Sequence, residues 1–506
     1  MILNRGEYLS KVMGCWMGKN IGGTLGAPME WRRQVNNVSF YTQELGGEPL
    51  PNDDLDIQLL WLVAMERHGV DINARLLGEF WCMYVTPHWA EYGNAKVNLR
   101  RGLVPPLSAM VHNPYKDSCG SFIRCEIWAC IAPGQPRTAA KFAYEDSILD
   151  HGDGEGTYAE LFCAALESAA FVEKDIDKLL DIGLTYIPAT CAVAKAAQEA
   201  RACHKAGKTW LQARDNILEK YRGSSAFNDP ACTSPDDHKK GFGTGKLGFD
   251  VASNIGIIVI GLLYGQGDFG KTICTAVNCG EDTDCTGATV GSIFGIMHGI
   301  ESIPEKWITP IGRSIKTIVL DLGDVGGQIA KDVDDLTRRT ERIAQQVLLR
   351  HRLPLAIDDR PTDLAGVTPE TLSAGGWKAA YGNWRGPVYS FDFFDVAIDY
   401  GGEAMIRNGQ PKTIRVTIHN TLGMQATLNL RWLLPAGWRI SPSAEGSVMS
   451  VTRRWEEPPC LEFTLTADQV TQPTNRAVLE ITADGRPTCM LVPIVLLNGN
   501  YEKPQV

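Results

Sequence analysis

Two stretches of this chain share one unusual arrangement, and together they restrict the fold more than any other feature. In the first, Gly14, Gly18, Gly22 and Gly26 recur every four residues. Asn52-Asp53-Asp54-Leu55-Asp56 then opens the apolar run from Ile57 to Met65. In the second, Gly280-Glu281-Asp282-Thr283-Asp284-Cys285-Thr286 leads into Gly287, Gly291, Gly295 and Gly299, again four apart. Residues four apart lie on one face of a helix, and a face of glycines lets another backbone come very close. The spacing predicts two glycine-faced helices. It also predicts two acidic helix starts, where the dipole and the free N–H groups stabilise negative charge. If the glycine faces pack together, the acidic clusters converge. One Asp would serve as an ordinary cap, whereas Asp282 and Asp284 with Glu281 beside them suggest a hard-cation site of oxygen ligands.

The rest of the composition narrows the setting. At 506 residues the chain is long enough for a large core and two or more domains. The net charge of -10 argues against nonspecific binding to nucleic acid or to an acidic membrane, which needs a basic face. The N-terminus lacks the apolar core of a signal peptide. The longest apolar run, around Ile255 to Leu263, is too short to span a bilayer. Fourteen cysteines include no CxxC pair, and several stand in apolar helical surroundings. A reducing cytoplasm without disulfides is the expectation.

Organisation follows from periodicity. Residues 1–350 read as helical, with Ala-rich apolar periodicity in 157–172, 189–206 and 325–350. The Pro-, Gly- and Thr-rich segment 351–385 reads as a linker. From 386 to 500 the pattern becomes β, as in Thr413 to Ile418 and Val478 to Thr482, with turn signals at the spacing of an antiparallel sandwich. Gly243-Thr244-Gly245-Lys246-Leu247-Gly248 matches GxGxxG formally. No strand precedes it, so it is expected to be a flexible loop, one that could rim the site. The Gly-rich loop Asp150 to Gly156 fails the calcium-hand spacing, and His151 within it is a candidate site-lining residue.

Four blocks, in family order, make the chain resemble the ADP-ribosylglycohydrolases. They are Gly18 to Glu30, Asn52-Asp53-Asp54, Cys119 to Arg124 continuing to Asp150-His151, and Gly280 to Gly299 closing on Ile303-Pro304-Glu305-Lys306-Trp307. The resemblance implies an all-α domain with a binuclear magnesium centre, or another divalent ion such as manganese, that cleaves a bond at C1 of a ribose. It implies metal ligands at Asn52, Asp53, Asp54, Asp282, Asp284 and Cys285, catalytic roles for Glu30 and Asp54, and substrate contacts from Arg124 and His151. Departures from the family pattern stand out. Asn52 and Cys285 replace metal-binding threonines, Cys119 replaces an Asn, and the first glycine block lacks its usual Asp. They point to a divergent member with a changed substrate. The β segment resembles immunoglobulin-like modules appended to carbohydrate-active enzymes, through Val416 to Thr421 and Leu434 to Pro442. The expected molecule is multidomain, an all-α ADP-ribosylglycohydrolase-like domain followed by an all-β immunoglobulin-like sandwich. Its expected partner is a small glycoside or an ADP-ribosylated substrate, with homo-oligomers forming through the sandwich. A non-catalytic ADP-ribose or nucleotide binder and a glycosidase for another sugar are the competing expectations.

Overall fold

The glycine spacing is explained by what lies against it. In the computed structural model, which describes residues 1–222, 250–376, 386–450 and 457–501, the principal helices around the site are α1 (Arg5–Gly26), α2 (Asp53–His68), α3 (Glu155–Ala170), α4 (Val251–Tyr264), α5 (Thr283–His298) and α6 (Val333–Arg350). Helix α1 starts where the Asn4 side chain accepts the N–H groups of Gly6 and Glu7. It ends at Gly26, before a short 3-10 turn containing Pro28. Gly14, Gly18, Gly22 and Gly26 face Gly295, Gly291, Gly287 and Thr283 in turn, so α1 and α5 run antiparallel. A methyl group on Gly18, Gly22, Gly26, Gly291 or Gly295 would meet the partner backbone closer than 3.0 Å. Both helices are buried almost all round, as a helix at the centre of a layered bundle must be.

This crossing converts sequence spacing into a site. Gly26, the last residue of α1, lies on Thr283, the first of α5, and the Thr283 hydroxyl donates to the Gly26 carbonyl at 2.8 Å. The chain leaving α1 therefore passes the N-terminus of α5. Its loop stays there, because Arg32 pairs with Glu281 as an antiparallel bridge and Asn36 N–H donates to Asn278 O at 3.0 Å. Gly280, at φ +76°, makes the sharp entry into the acidic block, and Glu281 follows at φ +69°.

The chain divides into two compact units, one formed by 1–96 with 112–382 and the other by 97–111 with 383–506. The expected linker is largely part of the helical unit. Strand β1 (Ile2–Asn4) pairs in parallel with β2 (Ala356–Asp358), and the Tyr186 hydroxyl donates to Leu372 O at 2.7 Å. Leu355, Ile357 and Leu372 are buried, so this stretch has an apolar anchor that its Pro and Gly content hides.

The second unit is a sandwich of two five-stranded sheets. Its strands are β3 (Val388–Ser390), β4 (Phe394–Asp399), β5 (Met405–Ile406), β6 (Lys412–Asn420), β7 (Ala426–Leu433), β8 (Trp438–Ser441), β9 (Glu445–Ser450), β10 (Cys460–Ala467), β11 (Thr474–Ala483) and β12 (Cys489–Asn498). The orders are β3-β4-β6-β10-β8 and β5-β12-β11-β7-β9. The alternation read in β6 and β11 is the inward-outward alternation of the sheets, and Trp432 meets Phe463 between them at 5.1 Å. Leu103, Leu107 and Val111 complete this core from a distant part of the sequence.

Candidate active site

The acidic residues at the head of α2 are not spent on capping. Asn52 is the cap, and its side-chain oxygen accepts the Asp54 N–H at 2.8 Å. That oxygen, expected to face a cation, is thus engaged. Its amide group instead donates to Asp284 Oδ2 at 3.4 Å, joining the two acidic blocks. Asp282 occupies the cap position of α5, yet its carboxylate makes no capping bond. Its backbone N–H is taken by Asn254 Oδ1 of α4 at 3.2 Å.

The blocks converge as the glycine packing requires. Ligand atoms of Asp54, Asp284 and Cys285 lie within 4.8 Å of one another, and so do those of Glu30, Asp282 and Asp284. Glu30 reaches the group from the loop after α1. Asp53 is held from the side, its Oδ2 accepting the Tyr92 hydroxyl at 2.9 Å. Asp54 lies deepest. It is fully buried, and Lys19 Nζ of α1 stands 3.4 Å from its Oδ2. Lys19 also donates to Glu126 Oε1 at 2.7 Å. Burial opposes its charge, but Glu126 and Asp54 outweigh burial and hold the ammonium protonated.

Crowded buried carboxylates resist ionisation. Burial and then Asp284, Asp53 and Asp54 push Glu30 up to about 10. Burial and Asp53 push Asp284 up to about 6. Asp54 and Asp282 move well above the usual carboxylate range for the same reasons. Oδ1 of Asp282 and Oδ1 of Asp284 are buried without a hydrogen-bond partner. Buried orphan oxygens carry a large desolvation penalty that a cation would remove. The donor set is hard oxygen, which fits magnesium or manganese. Cys285 fits less well as a ligand. Burial and Asp282 push its thiol well up, and it donates to Asp54 Oδ1 at 3.5 Å. It acts here as a neutral donor to the acids.

A cavity of about 90 Å³ opens on the cluster and is lined by Glu30, Asp53, Asp282, Asp284 and Cys285. Its lining also includes Cys119, marked by the third block, and residues that the motifs do not mark, namely Trp31, Trp89, Glu91 and Tyr92. Glu91 is pushed by burial up to about 7. The sequence signal for the unmarked four was aromatic density in Trp89-Ala90-Glu91-Tyr92 and the adjacency of Trp31 to Glu30. Asp54, expected among the catalytic residues, is fully buried and does not line the cavity.

Arg124 and His151, expected to touch substrate, are fully buried behind the wall. The Arg124 guanidinium is consumed by Asp146 Oδ1 at 3.0 Å, Asp150 at 2.7 and 2.9 Å, and the Gly120 carbonyl at 2.8 Å. His151 bridges Asp150 Oδ1 at 2.8 Å and Ser118 Oγ at 3.0 Å. Burial would raise Asp150, but Arg124 and His151 outweigh it and hold the acid at about 2. Both residues brace the turn that presents Cys119 and Gly120 to the cavity. The GxGxxG stretch, residues 243–248, lies outside the described residues.

No curated protein is similar enough to the chain to be matched with it. The family model described as ADP-ribosylglycohydrolase matches residues 4–347, about two thirds of the sequence and the whole span from α1 through the acidic blocks into α6. With the glycine-packed helices and the converging carboxylates, that match places the chain in the ADP-ribosylglycohydrolase family.

Proposed function

We propose that the protein is a magnesium-dependent hydrolase that cleaves a glycosidic bond at the anomeric carbon of a ribose-type sugar. The observation that carries this reading is the pair of buried oxygens without a hydrogen-bond partner on Asp282 and Asp284, within a group of four carboxylates, Glu30, Asp54, Asp282 and Asp284. Asp53, Asp54, Asp282 and Asp284 would hold the cation, which when bound supplies charge stabilisation and fixes the sugar diol. Asp53 and Asp284 line the cavity, where they would orient the attacking water and accept its proton. Glu30, beside Asp282 and Asp284 in the cavity lining, would deliver a proton to the departing group as the C1 bond breaks. Water adds to C1, its proton goes to a carboxylate, and the leaving group departs protonated.

The test is sugar release by the purified protein from ADP-ribosyl-arginine, ADP-ribosyl-serine, N-ribosides and aryl glycosides, each with magnesium and with chelator. Release that requires magnesium is the expected result. Release untouched by chelator would overturn the cation assignment. Silence across the panel, with no magnesium effect on melting, would overturn the hydrolase reading.

A further inference from the structure

One glycine of α1 stands outside the series that packs on α5. Gly14, Gly18, Gly22 and Gly26 meet backbone atoms of that helix, whereas a methyl group on Gly23 would meet the side-chain nitrogen of Asn52 at 2.5 Å. The only other neighbouring residue it would approach is Ala288, whose Cβ lies at an ordinary 3.8 Å. Glycine inside a helix costs stability relative to alanine. At Gly23 that cost does not serve the close approach of two backbones. It leaves room for the Asn52 amide.

That amide is fixed from several sides. Its oxygen accepts the Asp54 N–H at 2.8 Å, which leaves its nitrogen to face Asp284 Oδ2 at 3.4 Å. The loop that delivers Asn52 is itself tied to α1. Gln43 Nε2 donates to the Thr24 carbonyl at 2.7 Å, and the Leu50 N–H donates to Thr24 Oγ1 at 3.2 Å. One side chain thus touches the heads of α2 and α5 and the flank of α1. The Asp284 oxygen that Asn52 does not hold, Oδ1, is buried and has no hydrogen-bond partner. A neutral donor on one oxygen of a ligating carboxylate orients the other toward the ion, and losing such a donor costs about 10- to 100-fold in metal affinity.

We propose that Asn52 is a positioning residue of the cation site, acting through Asp284, and that Gly23 is the gap that admits it. The amide holds Asp284 Oδ2 and leaves Oδ1 for the ion, while its own oxygen is spent on the cap of α2. This rests on reading the carboxylates as a divalent-cation site. It separates two effects that a packing role for Gly23 would join. Alanine suits a helix interior better than glycine, and a methyl at position 23 displaces only the end of a flexible side chain. The fold is therefore kept while the grip on the ion loosens.

The experiment is calorimetric titration of magnesium into the chelator-stripped full chain, with melting of each protein measured without metal and sugar release scored separately. The proteins are wild type, Gly23→Ala, Asn52→Ser and the double variant. Serine keeps an oxygen and can still cap α2, but it lacks the amide. Each single variant is expected to bind magnesium at least about tenfold more weakly than wild type. Gly23→Ala is expected to melt no lower than wild type. In the double variant the methyl has no amide to displace, so its affinity is expected to match that of Asn52→Ser within about twofold. Wild-type affinity in Gly23→Ala would overturn the proposal. Wild-type affinity in Asn52→Ser would mean that position 52 serves through its oxygen, and would also overturn it. A Gly23→Ala protein that melts well below wild type, or whose loss recurs in full beside Asn52→Ser, would make Gly23 a packing residue and overturn it as well. Wild type that takes up no magnesium would remove the cation reading together with the proposal. Wild type that binds magnesium through Asn52 yet cleaves nothing would count against the hydrolase reading alone.

Discussion

At the scale of single residues, the carboxylates matter through their crowding. Asp282 and Asp284 keep partnerless buried oxygens, so Asp284→Ala should lower magnesium affinity by at least about a hundredfold and abolish turnover while the chain still folds. A magnesium titration followed by melting temperature reads the affinity and the folding, and sugar release reads the turnover. The raised acids also set a pH dependence. Unfolded carboxylates titrate near 4. The folded values are about 6 for Asp284, about 7 for Glu91 and Glu281, and about 10 for Glu30. Between those limits the folded chain binds protons that the unfolded chain has released, so stability falls as pH rises. The chelated protein should therefore melt lower at pH 8 than at pH 5, and magnesium should raise melting more at pH 8 than at pH 5, because it replaces the protons. Arg124 illustrates the opposite role. Arg124→Ala would leave Asp146 and Asp150 unpaired in the interior, and should cost about 3 to 5 kcal/mol of stability in denaturant unfolding.

At the scale of elements, the glycine faces of α1 and α5 are what bring the acids together. Gly18→Ala and Gly291→Ala would each force a methyl into the opposite backbone. Each is expected to cost about 1 to 3 kcal/mol or more, and to weaken magnesium binding because the head of α5 shifts from α1. Calorimetric melting with and without magnesium checks both. This packing was legible in the sequence, since small residues every four positions have few other uses in a helix. The joining of the two acidic blocks was legible only as a consequence of that packing, because the spacing does not fix which end of each helix meets the other. The division of labour inside the site was not legible. Asn52 capping α2, Asp54 turning inward to Lys19, and Arg124 and His151 bracing a wall depend on side-chain directions that spacing does not encode. Trp31 and Trp89 were hidden for a related reason. An exposed tryptophan and a core tryptophan look alike in a sequence, and only the loop backbone turns these two toward the cavity.

At the scale of the whole molecule, the chain's two units do not follow a single cut in sequence. Residues 97–111 belong with 383–506, and Leu103, Leu107 and Val111 sit in the sandwich core. A chain ended after residue 382 would leave these side chains uncovered. It should aggregate or melt lower than the full chain, as size-exclusion chromatography and calorimetry would show. Helical and β regions were readable from their periods of 3.6 and 2. The borrowed segment was not, because its few apolar residues carry neither period. Among the described residues no helix is long and apolar enough to cross a membrane.

The most direct measurement is a calorimetric titration of magnesium into chelator-stripped protein, run beside Asp282→Asn and Asp284→Ala. The convergence of two acidic helix starts across a glycine interface predicts saturable binding by wild type that both variants lose, with circular dichroism unchanged. Wild type that takes up no divalent cation, or variants that bind it as wild type does, would contradict the account.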